Sequence, residues 1–257
     1  MKTIPVAEVF GPTIQGEGYL AGRPTYFLRV GGCDFSCLWC DSAHAVLADQ
    51  VSKLPRLTAD MILEQLIALA ATQSGPKWLT ISGGNPALYE LGEVVSGWKE
   101  WATAGQVAVE TQGSKWKDWL VDVDMLTVSP KPPSSGMTNS DDFRLFMARA
   151  DAFSAPVTLK VVVFDEVDYE FARKVHRQYN AVPFYLSCGT AMGGLSGLWV
   201  PSPLHQAAVG SPVIDSDYSL LDRYRWLAET AMHDPLMADV AVLPQLHVLA
   251  WGHVRGV

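Results

Sequence analysis

Three of the four cysteines in this chain lie within eight residues, and they are the side chains best suited to chemistry. Cys33, Cys37 and Cys40 follow two glycines at a C-x3-C-x2-C spacing, so the backbone is free to fold back and bring the thiols together. Thiolates are soft ligands, which favours zinc, copper(I) or an iron–sulfur cluster. The fourth cysteine, Cys188, is distant in the sequence, so a closed four-ligand zinc site is disfavoured. Three thiolates leave one iron of a four-iron cluster open to another molecule.

Two other uses of these cysteines compete with metal binding. Cys37 and Cys40 could form a redox C-x-x-C pair, but this leaves Cys33 unexplained. Disulfides are typical of secreted, cysteine-rich chains, and neither the N-terminus nor the composition has that character. The spacing therefore favours a cluster.

The elements that must position these cysteines are predicted to be parallel β-α units in one sheet, because apolar β-rich runs alternate with helical patterns. Strands are predicted over residues 4–10, 25–30, 78–81, 106–111, 125–129, 157–164 and 184–187, and helices over 58–70, 88–104, 141–150, 167–179 and 219–233. The Gly-, Pro- and Ser-rich stretch 189–217 is predicted to be a loop. The apolar segment 240–252 is expected to pack on the rest of the domain.

Polar or special residues recur just after these strands, namely the cysteines, Ser82–Asn85, Glu110, Ser129–Lys131 and Ser187. Active sites of parallel sheets lie at the carboxyl ends of the strands, so these residues are expected to meet there. Arg29 interrupts an otherwise apolar strand. A lone arginine at such a position must be paired or must face a polar pocket.

Composition narrows the class of protein. The chain has 257 residues, is 49% hydrophobic and carries a formal net charge of −8, so a large core is expected and a nucleic-acid-binding surface is not. No run of 18 apolar residues is present, which excludes a predicted membrane span. Few cysteines, grouped as ligands, fit a reducing cytoplasm.

The cysteine spacing, in a loop after the first core strand, resembles that of the radical S-adenosylmethionine (SAM) enzymes. In that family the open iron chelates the amino and carboxylate groups of SAM. Further motifs, which extend from about Val6 to the C-terminus, resemble those of the 7-carboxy-7-deazaguanine synthase family. They are Gln15–Gly18, Gly22–Pro24, Cys33–Cys40, Asp41–Ser42, Ser82–Pro86, Glu110–Gly113, Ser129–Lys131 and Pro244–His247.

This resemblance implies an α/β fold, an incomplete (β6/α3)-like radical SAM partial barrel with N- and C-terminal extensions, built as a single domain over residues 1–257. It implies a carbon–nitrogen lyase that contracts the ring of 6-carboxy-5,6,7,8-tetrahydropterin to give 7-carboxy-7-deazaguanine and ammonia, on the path to queuosine and related deazapurines. The implied cofactors are one [4Fe–4S] cluster, SAM and Mg²⁺.

The resemblance also assigns roles to single residues. Cys33, Cys37 and Cys40 would ligate the cluster, and Ser42 would offer its hydroxyl oxygen to Mg²⁺, which prefers hard oxygen ligands. The expected SAM contacts are Trp39, Asp41, Gly84, Glu110, Ser129 and Lys131. The expected substrate contacts are Ile14, Gln15, Gly16, Glu17, Arg29, Ser82, His247 and Val257. Arg29 suits this role because its planar fork binds a carboxylate through two hydrogen bonds.

Implied partners are the pterin, a flavodoxin-type electron donor and a second copy of the chain in a homodimer, in the cytoplasm and without nucleic acid or membrane. The chain departs from the family pattern at Val248, where a basic residue usually follows the histidine, and over 189–217. Cys188 is expected to be a buried thiol, and Asp34 to shape the cysteine turn. The remaining histidines are expected to be surface or core polar residues and not ligands: His44, His176, His205, His233 and His253.

Two alternative functions stay open at this stage. An activating enzyme for glycyl-radical enzymes would share the cysteine spacing but lacks the Gln15–Gly18 motif. A non-catalytic iron–sulfur or zinc module is the alternative from a different class. The polar residues after several strands argue against it, because an electron carrier does not need them.

Overall fold

The computed structural model describes residues 2–71, 78–102, 104–137, 140–190, 220–252 and 254–256. The strands in this part of the chain are β1 (Ile4–Ile14), β2 (Pro24–Val30), β3 (Arg56–Leu57), β4 (Trp78–Gly83), β5 (Gln106–Thr111), β6 (Met125–Val128), β7 (Val157–Val163), β8 (Phe184–Cys188) and β9 (Ala241–Leu243). The helices are α1 (Ala43–Val46), α2 (Ala48–Val51), α3 (Ala59–Ala71), α4 (Gly92–Trp101), α5 (Ser140–Ala152), α6 (Glu166–Gln178), α7 (Leu220–Met232) and α8 (Leu246–Trp251).

The nine described strands form one sheet in the order β3-β1-β2-β4-β5-β6-β7-β8-β9. From β2 to β9 each strand pairs in parallel with its neighbour, whereas β1 is antiparallel to both β2 and β3. Because β3 and β9 are separate edges, the sheet is not closed into a barrel. The predicted α/β partial barrel is therefore confirmed, with β1 and β3 as the N-terminal extension and β9 with α8 as the C-terminal one.

The six predicted core strands correspond to β2, β4, β5, β6, β7 and β8, and the two largest errors in the predicted boundaries are at the end of β1 and the start of α4. β1 continues to Ile14 and does not end at Phe10, because the pairing with β2 resumes after a register shift between Phe10 and Thr13. The helix predicted from residue 88 begins at Gly92, because Pro86–Leu88 form a 3₁₀ turn. Of the predicted loop, residues 191–217 lie outside the described residues.

The hydrophobic core consists of side chains from the parallel strands and from the helices that pack on them. Leu28, Ile81 and Val109 on neighbouring strands are completely buried, and helix α4 packs Trp98 against Tyr26 of β2. Each fully buried side chain of this size stabilises the fold by about 1.5–3 kcal/mol. The predicted buried thiol is confirmed, since Cys188 is 1% exposed at the end of β8. No helix that the structure describes combines the length and apolarity needed to cross a bilayer.

Candidate active site

A cavity of ≈ 260 Å³ opens at the carboxyl ends of the parallel strands. It is lined by every predicted site residue that the structure describes: Ile14, Gln15, Gly16, Glu17, Arg29, Cys33, Cys37, Trp39, Cys40, Asp41, Ser42, Ser82, Gly84, Glu110, Ser129, Lys131 and His247. Val257, the remaining predicted substrate contact, lies outside the described residues. The strand order brings these residues together from separate parts of the sequence, while the role of each stays a prediction.

The cysteine loop forms one wall of this cavity. Cys33, Cys37 and Cys40 are partly exposed free thiols, and the backbone N–H of Phe35 donates to Cys33 Sγ at 3.4 Å. No three His, Cys, Asp or Glu side chains in the described ranges are arranged around a single metal-ion position. Four irons and four sulfides make a larger object than one ion, so three free thiols along one wall fit a cluster in number and in ligand type.

Burial raises the pKa of all three thiols in the cluster-free chain, and that of Cys40 to about 12, where the nearby carboxylate of Asp41 adds to the effect. The thiols are therefore protonated at neutral pH until metal binds. Because a metal ligand must be the thiolate, binding of a metal centre by these thiols would release protons.

A glycine after β4 allows the backbone to touch the cysteine loop. A Cβ at Gly84 would lie 1.9 Å from the carbonyl oxygen of Gly32. The Gly84 N–H donates to Val30 O at 3.1 Å, and the Asn85 N–H donates to Gly32 O at 2.8 Å. No side chain fits in this contact, so the expected SAM-binding turn and the cysteine loop are held together through main-chain atoms.

Two of the predicted SAM contacts, Lys131 and Ser129, lie near a third, Trp39. The indole N–H of Trp39 donates to Ser134 Oγ at 2.9 Å, and Lys131 Nζ lies 5.8 Å from the centre of a Trp39 ring. Lys131 also donates to Ser129 Oγ at 3.1 Å. The buried hydroxyl of Ser82 has no hydrogen-bond partner among the residues that the structure describes, although buried polar groups normally have one. A bound ligand in this cavity would supply that partner.

A buried ion network crosses the cavity between the expected substrate and SAM contacts. Lys160 Nζ lies 2.6 Å from Glu17 Oε2 and 3.6 Å from Glu110 Oε1. Burial disfavours the charge of Lys160, but the carboxylates of Glu110 and Glu17 raise its pKa. Burial likewise opposes ionisation of Glu17, yet Lys160, His247 and a 2.8 Å hydrogen bond from Gln245 lower the pKa of Glu17 to about 2. Both groups are therefore charged at neutral pH.

A second network orients Arg29. Its Nε donates to Glu8 Oε2 at 2.8 Å, and its Nη1 donates to Ser42 Oγ at 3.0 Å. The imidazole of His44 and the charge of Arg29 outweigh burial and lower the pKa of Glu8 to about 2. Ser42 in turn donates to Asp41 Oδ1 at 3.0 Å. The expectation that Arg29 is paired or faces a polar pocket is thus confirmed.

The C-terminal segment closes the opposite wall. The Leu246 N–H donates to Gly16 O at 3.0 Å, and a Cβ at Gly16 would lie 2.0 Å from His247 Nδ1. Gln245 bonds to Glu17, and its Oε1 accepts a short hydrogen bond from Thr190 Oγ1. The expected packing of the apolar end is confirmed, and it contacts the Gln15–Gly18 loop directly.

Several cavity residues were missed from sequence. Glu8 and Lys160 stand in strands β1 and β7, where a lone charge in an apolar run carries the same signal that identified Arg29. His44 was expected to be an ordinary polar residue, but it lines the cavity. Gln112 and Gln245 belong to two of the family motifs, but nothing in their residue type or spacing indicated that they contact the cavity. His176 is buried and His233 is exposed, as expected, while His205 and His253 lie outside the described residues.

Comparison with known proteins identifies relatives along the whole chain. The chain is 42% identical over 258 residues to the 7-carboxy-7-deazaguanine synthase of Bacillus cereus, which covers 100% of both chains. It is 40% identical over 260 residues to the enzyme of the same name from Bacillus subtilis, with 100% of this chain and 99% of the relative covered. No protein-family model matches the sequence.

Solved structures support the same fold. QueE from Escherichia coli matches with a TM-score of 0.65 at 20% identity over 95% of each chain. SuiB from Streptococcus suis, in a structure with bound S-adenosylmethionine, matches with a TM-score of 0.56 at 13% identity over 82% of this chain and 48% of SuiB. Full-length identity above 40% and the shared open sheet agree with the motifs around the cavity. The chain belongs to the 7-carboxy-7-deazaguanine synthase family, on the radical SAM fold.

Proposed function

We propose that this protein contracts the ring of 6-carboxy-5,6,7,8-tetrahydropterin to give 7-carboxy-7-deazaguanine and ammonia, using a [4Fe–4S] cluster, SAM and Mg²⁺. The observation that carries the proposal is that every described residue to which the family motifs assign a role in binding lines one cavity. The whole-chain similarity to enzymes of that name supports the same activity. We assign the step to the queuosine and 7-deazapurine route.

Cys33, Cys37 and Cys40 would hold the cluster by their thiolates. When bound, the cluster and SAM supply one-electron chemistry that removes a hydrogen atom from the substrate and returns one. Trp39, Asp41, Gly84, Glu110, Ser129 and Lys131 would bind SAM, which is supported by their lining the same cavity as the cysteine loop. The chain's part in this step is to fix the reacting groups and to exclude water.

Arg29 would bind the carboxylate of the pterin. Glu8 and Ser42 occupy its Nε and Nη1 atoms, so the guanidinium is oriented before substrate arrives and Nη2 stays available. The Gln15–Gly18 loop would recognise the pterin ring through polar groups on Gln15 and Glu17. Ile14, Gly16, Ser82 and His247 complete the proposed substrate contacts, and Val257 is proposed from the motif comparison alone.

Ser42 would be the protein ligand of Mg²⁺. A hydroxyl has one proton and two acceptor positions, and Ser42 donates to Asp41 while it accepts from Arg29. One acceptor position is therefore left for the ion. Mg²⁺ usually keeps few protein ligands, so a single hydroxyl together with substrate oxygens is chemically reasonable.

We also propose a single domain over residues 1–257, a homodimer, a cytoplasmic location and an electron donor of the flavodoxin type. The donor would approach the cysteine loop, where Leu38 is 40% exposed. Light scattering of the purified protein tests the dimer, since a monomeric mass contradicts it.

The activity is tested with anaerobically reconstituted protein, dithionite, SAM, Mg²⁺ and the carboxy-tetrahydropterin. Mass spectrometry should detect the deazaguanine product, and the Cys37→Ala variant, which lacks one thiolate, should give none. An intact cluster that cleaves SAM without forming this product contradicts the substrate assignment. Abstraction of hydrogen from a protein glycine would favour the activating-enzyme alternative, and bound zinc would favour the non-catalytic one.

Ser42→Ala should raise the Mg²⁺ concentration needed for half-maximal product formation, because the hydroxyl ligand is lost. Ser36→Ala, a change at an exposed serine of the cysteine loop, is the matched control and should leave it unchanged. A magnesium titration curve for Ser42→Ala that overlays that of the parent protein would remove Ser42 from the ion site.

A further inference from the structure

The carboxylate of Asp34, the residue that follows the first cysteine, is held by three side chains from the ends of two strands. Its Oδ1 accepts from Gln112 Nε2 at 2.7 Å and from Asn85 Nδ2 at 2.9 Å. Its Oδ2 accepts from Ser114 Oγ at 2.7 Å. Asp34 therefore joins the cysteine loop to the segments after β4 and β5.

The donors of this network are buried, whereas Asp34 itself is exposed. Asn85 is 0%, Gln112 4% and Ser114 6% exposed. Buried amides and hydroxyls need partners, and Asp34 supplies an acceptor to each of these three. Asn85 is itself fixed, because its Oδ1 accepts from Thr111 Oγ1 at 2.9 Å and from the Ala87 N–H at 3.1 Å. The Asn85 amide that donates to the loop is thus held in place on the sheet side.

The same network reaches a sulfur atom. Gln112 Nε2 lies 3.7 Å from Cys33 Sγ, within the range of a hydrogen bond to sulfur. The amide group of Gln112 has two hydrogens. One is donated to Asp34, and the other is shared between Cys33 Sγ and Ser114 Oγ. Gln112 belongs to the Glu110–Gly113 motif, yet neither the cluster nor SAM assignments above use it.

We infer that Asp34 and Gln112 are positioning residues that fix the cysteine loop in its binding conformation and set the reduction potential of the cluster held by Cys33. This inference deepens the proposed function, because it rests on the cluster assignment. Hydrogen bonds to the sulfurs and nearby charge are among the features by which proteins tune such clusters.

The two residues act on the potential in opposite directions. An N–H donor to the Cys33 sulfur stabilises the additional negative charge of the reduced cluster, so Gln112 raises the potential. The carboxylate of Asp34 repels that charge, so Asp34 lowers it. A residue that merely kept the loop folded would not produce shifts of opposite sign.

The positioning part is tested by hydrogen exchange on the full-length, cluster-free chain. Asp34→Ala removes all three acceptor contacts and should increase the opening of the peptide spanning residues 31–42 by at least roughly tenfold, the effect of losing one hydrogen bond of about 1.4 kcal/mol. Asp34→Asn keeps the shape of the side chain and one carbonyl acceptor, so its increase in exchange should be smaller. If Asp34→Ala does not fold, Asp34→Asn replaces it in this test. Asp49→Asn, a change at an exposed carboxylate of α2, should have no effect.

The electrostatic part is tested by redox titration of the reconstituted protein, followed by the spectrum of the reduced cluster. Gln112→Leu should shift the midpoint potential to more negative values, and Asp34→Asn should shift it to less negative values, with Asp49→Asn unchanged. Unaltered exchange in both Asp34 variants, or potentials that stay constant or move in the same direction, would overturn the inference. Neither measurement requires turnover, so failure to form the proposed product leaves both results interpretable.

Discussion

Lys160 is the single side chain that most clearly joins the two halves of the site. It is 5% exposed and lies between Glu17, from the proposed substrate loop, and Glu110, from the proposed SAM wall. This buried cation keeps the carboxylate of Glu17 ionised and aligned. Removal of the cation leaves the negative charge of Glu17 without its partner in a poorly solvated place, so the cost is greater than that of one lost hydrogen bond.

Lys160→Met should lower the free energy of unfolding by about 3–5 kcal/mol, the usual cost of removing one partner from a buried ion pair. Chemical denaturation monitored by circular dichroism measures this change. The double variant Glu17→Gln/Lys160→Met should recover part of the loss, because it removes the uncompensated charge. A loss below about 1 kcal/mol, typical of exposed ion pairs, would mean that Lys160 is solvated in solution.

Glu8 gives the fold a defined acid sensitivity. Its pKa is about 2 in the folded protein against an ordinary value of 4.5, so the folded state prefers the ionised form. A lowered pKa contributes stability that is fully present above pH 4.5 and is lost as the pH falls towards 2. The difference in unfolding free energy between the parent protein and Glu8→Gln should therefore shrink over that interval. A difference that does not vary with pH between 4.5 and 2 would contradict the pairing of Glu8 with Arg29.

At the scale of the elements, sequence patterns located the strands because each core strand is an apolar run bounded by glycine or proline. They could not locate β3 and β9, two and three residues long, because such short strands exist only through pairing with distant partners. The start of α4 was placed too early because Pro86–Leu88 form a 3₁₀ turn capped by Asn85, and the bonds from Asn85 to Gly32 and Asp34 of the cysteine loop are tertiary contacts that no local pattern shows.

The candidate site was predictable where a motif marked it and unpredictable where only tertiary contact did. Arg29 was recognised as a lone charge in a strand, and Lys160 offers the same signal in β7. Gln245 and Thr190 meet Glu17 through contacts between segments far apart in the chain, which no local spacing reveals. The proposed roles of the motif residues came from family resemblance and not from their geometry.

The contact between α8 and the Gln15–Gly18 loop can be tested through Gly16. Gly16→Ala places a methyl group where His247 lies, so the C-terminal segment must shift. Because a misplacement of about 1 Å can reduce rates roughly 100-fold, kcat/KM for the pterin should fall by about 10- to 100-fold.

Hydrogen exchange should show weaker protection of residues 245–251 in Gly16→Ala and its recovery in Gly16→Ala/His247→Ala, where the obstructing ring is absent. Gly92→Ala is the matched glycine control, since the nearest atom to its added Cβ is 3.3 Å away and Gly92 does not line the cavity. Full protection in Gly16→Ala would show that the two segments are not packed together in solution.

At the scale of the whole molecule, the cavity collects side chains from Glu8 in β1 to Arg255 in the C-terminal segment. The parallel strands supply the floor, the cysteine loop supplies one wall, and the ends of the chain supply the other. The open sheet makes this possible, because a fully closed barrel would leave no edge for the terminal extensions to cover. Each wall is held by a polar network, so the site is built from contacts that span the fold.

The bond between Gln245 and Glu17 also has a consequence for biosynthesis. Synthesis on the ribosome proceeds from the N-terminus, so Cys33–Cys40 emerge about 200 residues before Gln245, which corresponds to roughly 10–40 s of elongation. During that interval the thiols are made while the last wall of the pocket is still missing. Iron–sulfur assembly machinery would therefore meet a wider opening around the thiols during translation than the finished protein offers.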